Sequence, residues 1–191
     1  MIDNFEIIKK FLKEHSLMEK NDFYFLQVIR RKKDNPDMTK HEFNIYNFYL
    51  TSLADFDKYK PRIMDLCQLH NARCLIRLGK RNYEQIAKET QYIIADCIRK
   101  GNYHSVMGAY VSACGQFSAE KKKLWMVDID DNAYLDEVCE HLKEITTIHG
   151  IIPSKTGSHI IISGFNPKLF KYNKDTHPVE LKKEATTNIV C

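Results

Sequence analysis

Glycine and proline are scarce in this chain, seven and five in 191 residues, and neither gathers into a run. That excludes collagen-like repeats and an organisation built on flexible linkers. No window holds 18 consecutive apolar residues, so no segment reads as a membrane-spanning helix. The opening MIDNFEIIKKFLKEHS carries three acidic side chains and no continuous apolar stretch, and it does not read as a signal peptide. Neither sign of charge dominates, with 29 Lys and Arg against 25 Asp and Glu, net +4. This balance permits a phosphate-bearing partner but is far from that of a DNA-coating protein. The six cysteines show no CxxC spacing and no histidine at zinc-ligand intervals. Cys97, Cys114 and Cys139 fall at apolar positions of helical patterns, as expected of reduced, buried thiols in a cytoplasmic protein rather than a disulfide scaffold. GxSxG, HExxH and the ligase lysine motif KxDG are all missing, which leaves hydrolase and ligase triads without support.

What is present is enough apolar material for a sizeable core, 43% hydrophobic and 11% aromatic. Length and composition together predict a single domain. Helical spacing of Phe5, Ile8, Phe11 and Leu12 marks a helix over 4–14. DFYFLQVIRR (22–31) and HEFNIYNFYL (41–50) read as paired strands, joined through the turn residues KKDNPDM. A helix over 55–70 and a strand over 72–81 come next. Helices over 82–99 and 103–114 follow, the first capped by Asn82 and closed by Gly101. KLWMVDID (123–130) reads as a buried strand and 133–147 as an amphipathic helix. Strands near 149–154 and 159–163, a short helix at 166–172, and strands near 178–182 and 187–190 complete the pattern. The expectation is an α+β domain with a mixed β-sheet flanked by helices, residues 1–122 forming an N-terminal part and 123–191 a motif-bearing part.

Chemistry concentrates in the second part. Because strand side chains alternate, Asp128 and Asp130 at the end of LWMVDIDD point to the same side. Two carboxylates so close repel unless a cation lies between them, and Mg²⁺ or Mn²⁺ is the natural oxygen-ligated filler. Strand ends also carry Asp as turn formers and caps, Asp131 among them. In IIPSKTGSHIIISG (151–164) small residues and Lys155 form a turn that reads either as a phosphate cradle or as a plain hairpin turn. Arg73 and Arg77 share a strand face, and Lys80 and Arg81 follow. This cationic strand either holds phosphates or protects a sheet edge. Other basic clusters stand at Arg30–Lys33 and Lys121–Lys123, and 166–183 sets five lysines against Asp175 and Glu180. The aromatics of Phe43–Tyr49 serve either the core or base stacking.

A DxD strand, a helix and then a G-x-H hairpin resembles the catalytic core of the archaeo-eukaryotic primase (primase-polymerase) superfamily. Val127-Asp128-Ile129-Asp130 stands at its first motif and Gly157-Ser158-His159 at its second. Glu180 in PVELKK, with Asp175 behind it, stands at the third. The resemblance covers roughly 123–191, with Gly157 where the family usually has Ser and Glu180 where it usually has Asp. It implies an RRM-like palm and a metal-dependent nucleotidyltransferase that takes a nucleoside triphosphate and single-stranded or primed nucleic acid, away from membranes. With the chain's size, it also implies a small phage or mobile-element gene. Asp128, Asp130 and Glu180 would hold Mg²⁺ or Mn²⁺. His159 would contact a nucleotide phosphate, aided by Ser158 or Lys155, with Arg77 and Arg81 as further nucleotide contacts. The alternatives are a non-catalytic nucleotide- or nucleic-acid-binding module on the same fold (sensor, sponge or inhibitor) and a metal-dependent nuclease.

Overall fold

A computed structural model describes residues 1–15, 18–118, 123–172, 174 and 177–191. Asp175 and most of the Lys121–Lys123 cluster lie outside the described residues. The elements run α1 (Phe5–His15), β1 (Asp22–Arg31), β2 (Glu42–Leu50), α2 (Ala54–Leu69), β3 (Arg73–Arg77), β4 (Arg81–Asn82) and α3 (Tyr83–Arg99). They continue with α4 (Ala109–Gln116), β5 (Leu124–Ile129), α5 (Leu135–Ile145), β6 (Ile148–Pro153), β7 (Ser158–Ser163), β8 (Val179–Lys182) and β9 (Thr186–Val190). The α+β class expected from the sequence is the one found. The single mixed sheet is not. Two sheets form, ordered β2-β1-β3-β9 (with β4 on β1) and β6-β7-β5-β8, and the strand pairs among the described residues are antiparallel. The reason lies in the helical crossovers. The α2 crossover joins β2 to β3 across β1, and the α5 crossover joins β5 to β6 across β7, so parallel strands are never neighbours. The second arrangement is a split βαβ unit.

Three local expectations also shift. The strand expected over 72–81 breaks into β3 and the two-residue β4. The helix expected over 103–114 starts as a 3₁₀ segment, Tyr103–Gly108, and becomes α-helical after Gly108. Glycine there lowers the helical propensity of the first turn. The helix at 166–172 shrinks to one 3₁₀ turn, Pro167–Leu169, because Phe170 is already extended. Asn82 caps α3 as expected, accepting from the backbone N–H groups of Glu84 and Gln85. Gly101 closes the helix at φ +69, a left-handed position where glycine is unstrained.

Alternation along β1 explains how one sheet buries two faces. Tyr24, Leu26 and Val28 pack with Phe5, Ile8 and Leu12 of α1 and Phe56 and Ile63 of α2. Phe23 and Phe25 pack with Ile86 of α3 and Ala113 and Cys114 of α4. Cys114 and Cys139 are buried free thiols and Cys97 is only half-buried. In the second sheet Val127, Ile129, Ile160, Ile162 and Val179 rest on Val138, Cys139 and Leu142 of α5. The opposite face sends Met126, Ile152 and Ile161 into the core of the first sheet. The two sheets therefore share one apolar centre.

Two polar links fasten them, together with the course of the chain. The Ala185 carbonyl accepts from the Leu78 N–H at 2.9 Å while its own N–H donates to Leu124 at 3.1 Å. The buried Asn4 amide donates to the carbonyls of Pro153 (2.8 Å) and Asn188 (3.0 Å), bridging β6 and β9. The last strand, β9, pairs with β3 of the first sheet, so the chain crosses back after building the second. No helix of the described residues is long and apolar enough to cross a membrane.

Candidate functional site

The face of the second sheet that meets the first is apolar at one end and charged at the other. Alternation dictates this: Met126 and Asp128 share a face on β5, His159 and Ile161 on β7, Glu180 and Lys182 on β8. Register then sets Asp128 directly between His159 and Glu180 on the flanking strands. Asp130, two residues on, is exposed at the strand end, its N–H tied to the Pro178 carbonyl at 2.8 Å. Asp131 caps the following 3₁₀ turn through the Ala133 N–H, so of the three acids only this one serves as a cap.

The charged end opens into a cleft of about 470 Å³, a size typical of small-molecule sites. Its lining includes Asp128, Asp130, His159 and Glu180 on one side, with Lys155 on the adjoining turn. Arg31, Lys33 and Arg73 come from the first sheet and its β1–β2 connection. The helices α3 and α4 cover only the Phe23–Phe25 end of that sheet, which leaves Leu75, Arg73 and the end of β1 to the cleft.

Gly157 makes the juxtaposition possible. A Cβ there would stand 1.9 Å from the Ile129 carbonyl oxygen, so only glycine lets the β6–β7 turn run against the end of β5. That close approach sets Ser158 and His159 beside Asp128. It gives the glycine of G-x-H a packing reason, independent of any phosphate.

Asp128 is heavily engaged. Its Oδ1 lies 3.2 Å from His159 Nε2, and its Oδ2 accepts from Lys182 Nζ at 2.5 Å. Burial alone would raise its pKa, but the hydrogen bonds and charges of His159 and Lys182 outweigh burial and hold the carboxyl well below the usual range. His159 is buried, and its other nitrogen, Nδ1, is 2.7 Å from Thr187 Oγ1 on β9. Both ring nitrogens are thus committed to protein side chains, and His159 aligns Asp128 rather than presenting a free N–H to the cleft. Glu180 pairs with Lys174 at 3.1 Å and lies 3.6 Å from Lys182.

Several expected contacts go elsewhere. Ser158, on the opposite strand face from His159, donates to Asn132 Oδ1 at 2.9 Å and is absent from the cleft lining. It braces the β5–α5 connection. Arg81 is 1% exposed and bonds to the Cys114 carbonyl (2.8 Å), the Gly79 carbonyl and Glu184 (2.8 Å). Arg77 reaches Glu184 from the other side at 2.9 Å. Neither arginine lines the cleft. Both converge on Glu184 in a structural knot. The reason is local: Glu184 precedes β9 and lies against β3 and β4, so it captures both guanidinium groups. Lys155 does line the cleft and pairs with Asp34 at 3.2 Å. Arg73 grips the same Asp34 through two 2.7 Å bonds and, against opposing burial, holds its carboxyl below the ordinary range.

Sequence reasoning missed Arg31, Lys33, Asp34, Lys174, Lys182 and Asn188 as cleft residues. Lys182 carried one usable signal, standing two residues after Glu180 and therefore on its face. The others depend on how the sheets meet.

The oxygen donors Asp128, Asp130 and Glu180 suit a hard divalent cation. The Lys182 ammonium already stands against two of them, Asp128 and Glu180. Among the described residues, however, no three or more His, Cys, Asp or Glu side chains converge as a ready-made metal cage. The two oxygens of Asp128 are taken by His159 and Lys182. Neither a protein-family model, nor a curated protein, nor a solved structure matches this chain, so the chemistry of the site rests on its own geometry.

Proposed function

We propose that the cleft binds a nucleoside triphosphate with Mg²⁺ or Mn²⁺ and transfers its nucleotidyl group to single-stranded or primed nucleic acid. The observation that carries this reading is the cross-strand row His159–Asp128–Glu180, with Asp130 two residues beyond Asp128 along the chain, facing a cleft that also holds Arg31, Lys33 and Lys155. The split βαβ order of the second sheet supports an RRM-like palm as its scaffold. Asp128, Asp130 and Glu180 are the residues that would hold the cation, and a bound divalent ion supplies charge neutralisation at the triphosphate. Arg31, Lys33 and Lys155 offer cations to the phosphates. His159, locked between Thr187 and Asp128, keeps the Asp128 carboxylate ionised and oriented. In the transfer, a 3′-hydroxyl gives up its proton to water as its oxygen bonds to the α-phosphorus, the bond from that phosphorus to the bridging oxygen breaks, and pyrophosphate leaves. Such chemistry needs positioning and charge stabilisation, not a covalent nucleophile.

The test is thermal stability with ATP, dATP or GTP, each with Mn²⁺, for wild type and an Asp128→Ala/Asp130→Ala variant. A stabilisation that requires Mn²⁺ and is lost in the variant is expected, followed by primer extension that Asp130→Asn abolishes without unfolding the protein. No stabilisation in either protein rejects the reading. The engagement of Asp128 by both His159 and Lys182 favours one second reading, a cleft that binds nucleotide or nucleic acid without chemistry. Nucleotide binding without primer extension under any divalent ion would select it.

A further inference from the structure

Lys182 is the cleft cation that lies closest to the acids proposed to hold a divalent ion. It stands two residue pairs along from Asp128 and Glu180, opposite Met126, and its side chain turns back along the face to Asp128. Its ammonium lies 2.5 Å from Asp128 Oδ2 and 3.6 Å from Glu180 Oε2, among the oxygens that would take a divalent ion. The side chain remains 39% exposed, so it can withdraw without disturbing the core. The flexible four-carbon stem of lysine suits such a movement, where the planar fork of arginine would not. Lys174 provides an internal comparison. It also pairs with Glu180, at 3.1 Å, but it is 67% exposed and has no hydrogen bond or ion pair to Asp128.

We propose that Lys182 is a tethered counter-cation that holds the carboxylate row in the absence of a divalent ion and must leave Asp128 before one can bind. The inference rests on the proposed cation-binding role of that row. Its physical content is competition. An ammonium and a divalent ion cannot share Asp128 Oδ2, and at a few ångströms' separation in a half-buried cleft their repulsion is several-fold stronger than in bulk water. The wild-type protein pays for cation entry by displacing Lys182, and removing that charge should tighten cation binding. The exchange would leave a free ammonium on the cleft wall, available to a phosphate oxygen of the incoming ligand.

The experiment titrates full-length protein with Mn²⁺ alone, following the free aquo-ion signal by electron paramagnetic resonance. Lys182→Met keeps the aliphatic stem and removes the charge; Lys182→Gln keeps a donor and removes the charge. The expectation is that both bind Mn²⁺ about tenfold more tightly than wild type, while Lys10→Met, which removes an exposed charge outside the cleft, changes affinity less than threefold and Asp128→Asn loses binding. Melting temperatures verify that each variant is folded, and the two Lys182 variants guard against one of them failing to fold. Equal affinity of wild type and both Lys182 variants overturns the inference while the Asp128→Asn loss keeps the cation site. Equal gains from Lys10→Met and the Lys182 variants overturn it as well, because the effect is then one of overall charge. Absence of Mn²⁺ binding in wild type and the Lys182 variants alike removes both this inference and the divalent-cation part of the proposed function.

Discussion

Arg81 shows how a single residue's role is decided by what surrounds it. In the sequence it closes a cationic run that invites a phosphate. In the fold it is the largest fully buried side chain, and its charge is met by Glu184 and two backbone carbonyls. Removing Glu184 would leave a buried guanidinium without its carboxylate, and such losses typically cost about 3 kcal/mol. Glu184→Ala should therefore destabilise the protein by roughly 2–3 kcal/mol in urea unfolding, the lower end reflecting the half-exposed carboxylate. Glu184→Gln, which keeps a hydrogen-bond acceptor, should cost less. The pH dependence follows from the same pair. Burial pushes the Glu184 pKa up, but the charges and hydrogen bonds of Arg77 and Arg81 outweigh it and bring the carboxyl below its ordinary 4.5. A folded-state value below the unfolded one means that the stabilisation is complete above the unfolded pKa and is lost as pH falls through the folded one. Wild-type stability should thus decline from about pH 5 downward, and Glu184→Gln should decline less steeply over that range.

At the scale of elements, the hairpin of β6 and β7 and its seat on β5 matter most. The strands over 123–130 and near 159–163 were readable, and so was the common side of Asp128 and Asp130. Alternation also told Ser158 from His159 once the strand began at Ser158, one residue before the expected start. The register between strands was not readable, and register is what puts Asp128 beside His159 and Glu180. It depends on Gly157, whose missing side chain lets the turn lie on the Ile129–Asp130 backbone. Gly157→Ala forces that backbone apart and should cost at least about 2 kcal/mol, as other forced overpacking does. It should also abolish the nucleotide- and Mn²⁺-dependent thermal stabilisation. Denaturant unfolding and a thermal titration measure the two effects. A variant that keeps wild-type stability would mean the turn can relax and that the close approach does not fix the register.

For the whole molecule, the division into 1–122 and 123–191 describes the order of the chain better than its architecture. β9 returns to the first sheet, Asn4 joins β6 to β9, and Met126, Ile152 and Ile161 share a core with Leu26 and Ile76. Two halves joined in this way should unfold together. The single tryptophan, Trp125 on β5, reports the second sheet, whereas far-ultraviolet circular dichroism reports all elements. Their urea transitions should coincide in midpoint and steepness. Separate transitions would show that the sheets are independent and that the cleft between them is not held by a common core.

The sequence by itself determined most of the elements, because apolar periodicity, an Asn cap and a closing glycine are local signals that need no partner; the break between β3 and β4, the 3₁₀ start at Tyr103 and the single turn at Pro167–Leu169 were not among them. It also determined that Asp128 and Asp130 share a strand face. Tertiary structure decided which cations reach those acids. Arg31, Lys33 and Lys155 come to the cleft from strands and turns far apart in the chain, while Arg77 and Arg81 are drawn away to Glu184 and Lys182 folds back onto Asp128. The physical reason is that a charge acts on whatever lies within a few ångströms. Strand pairing and sheet-on-sheet packing fix those neighbours, and no local pattern in the chain encodes them.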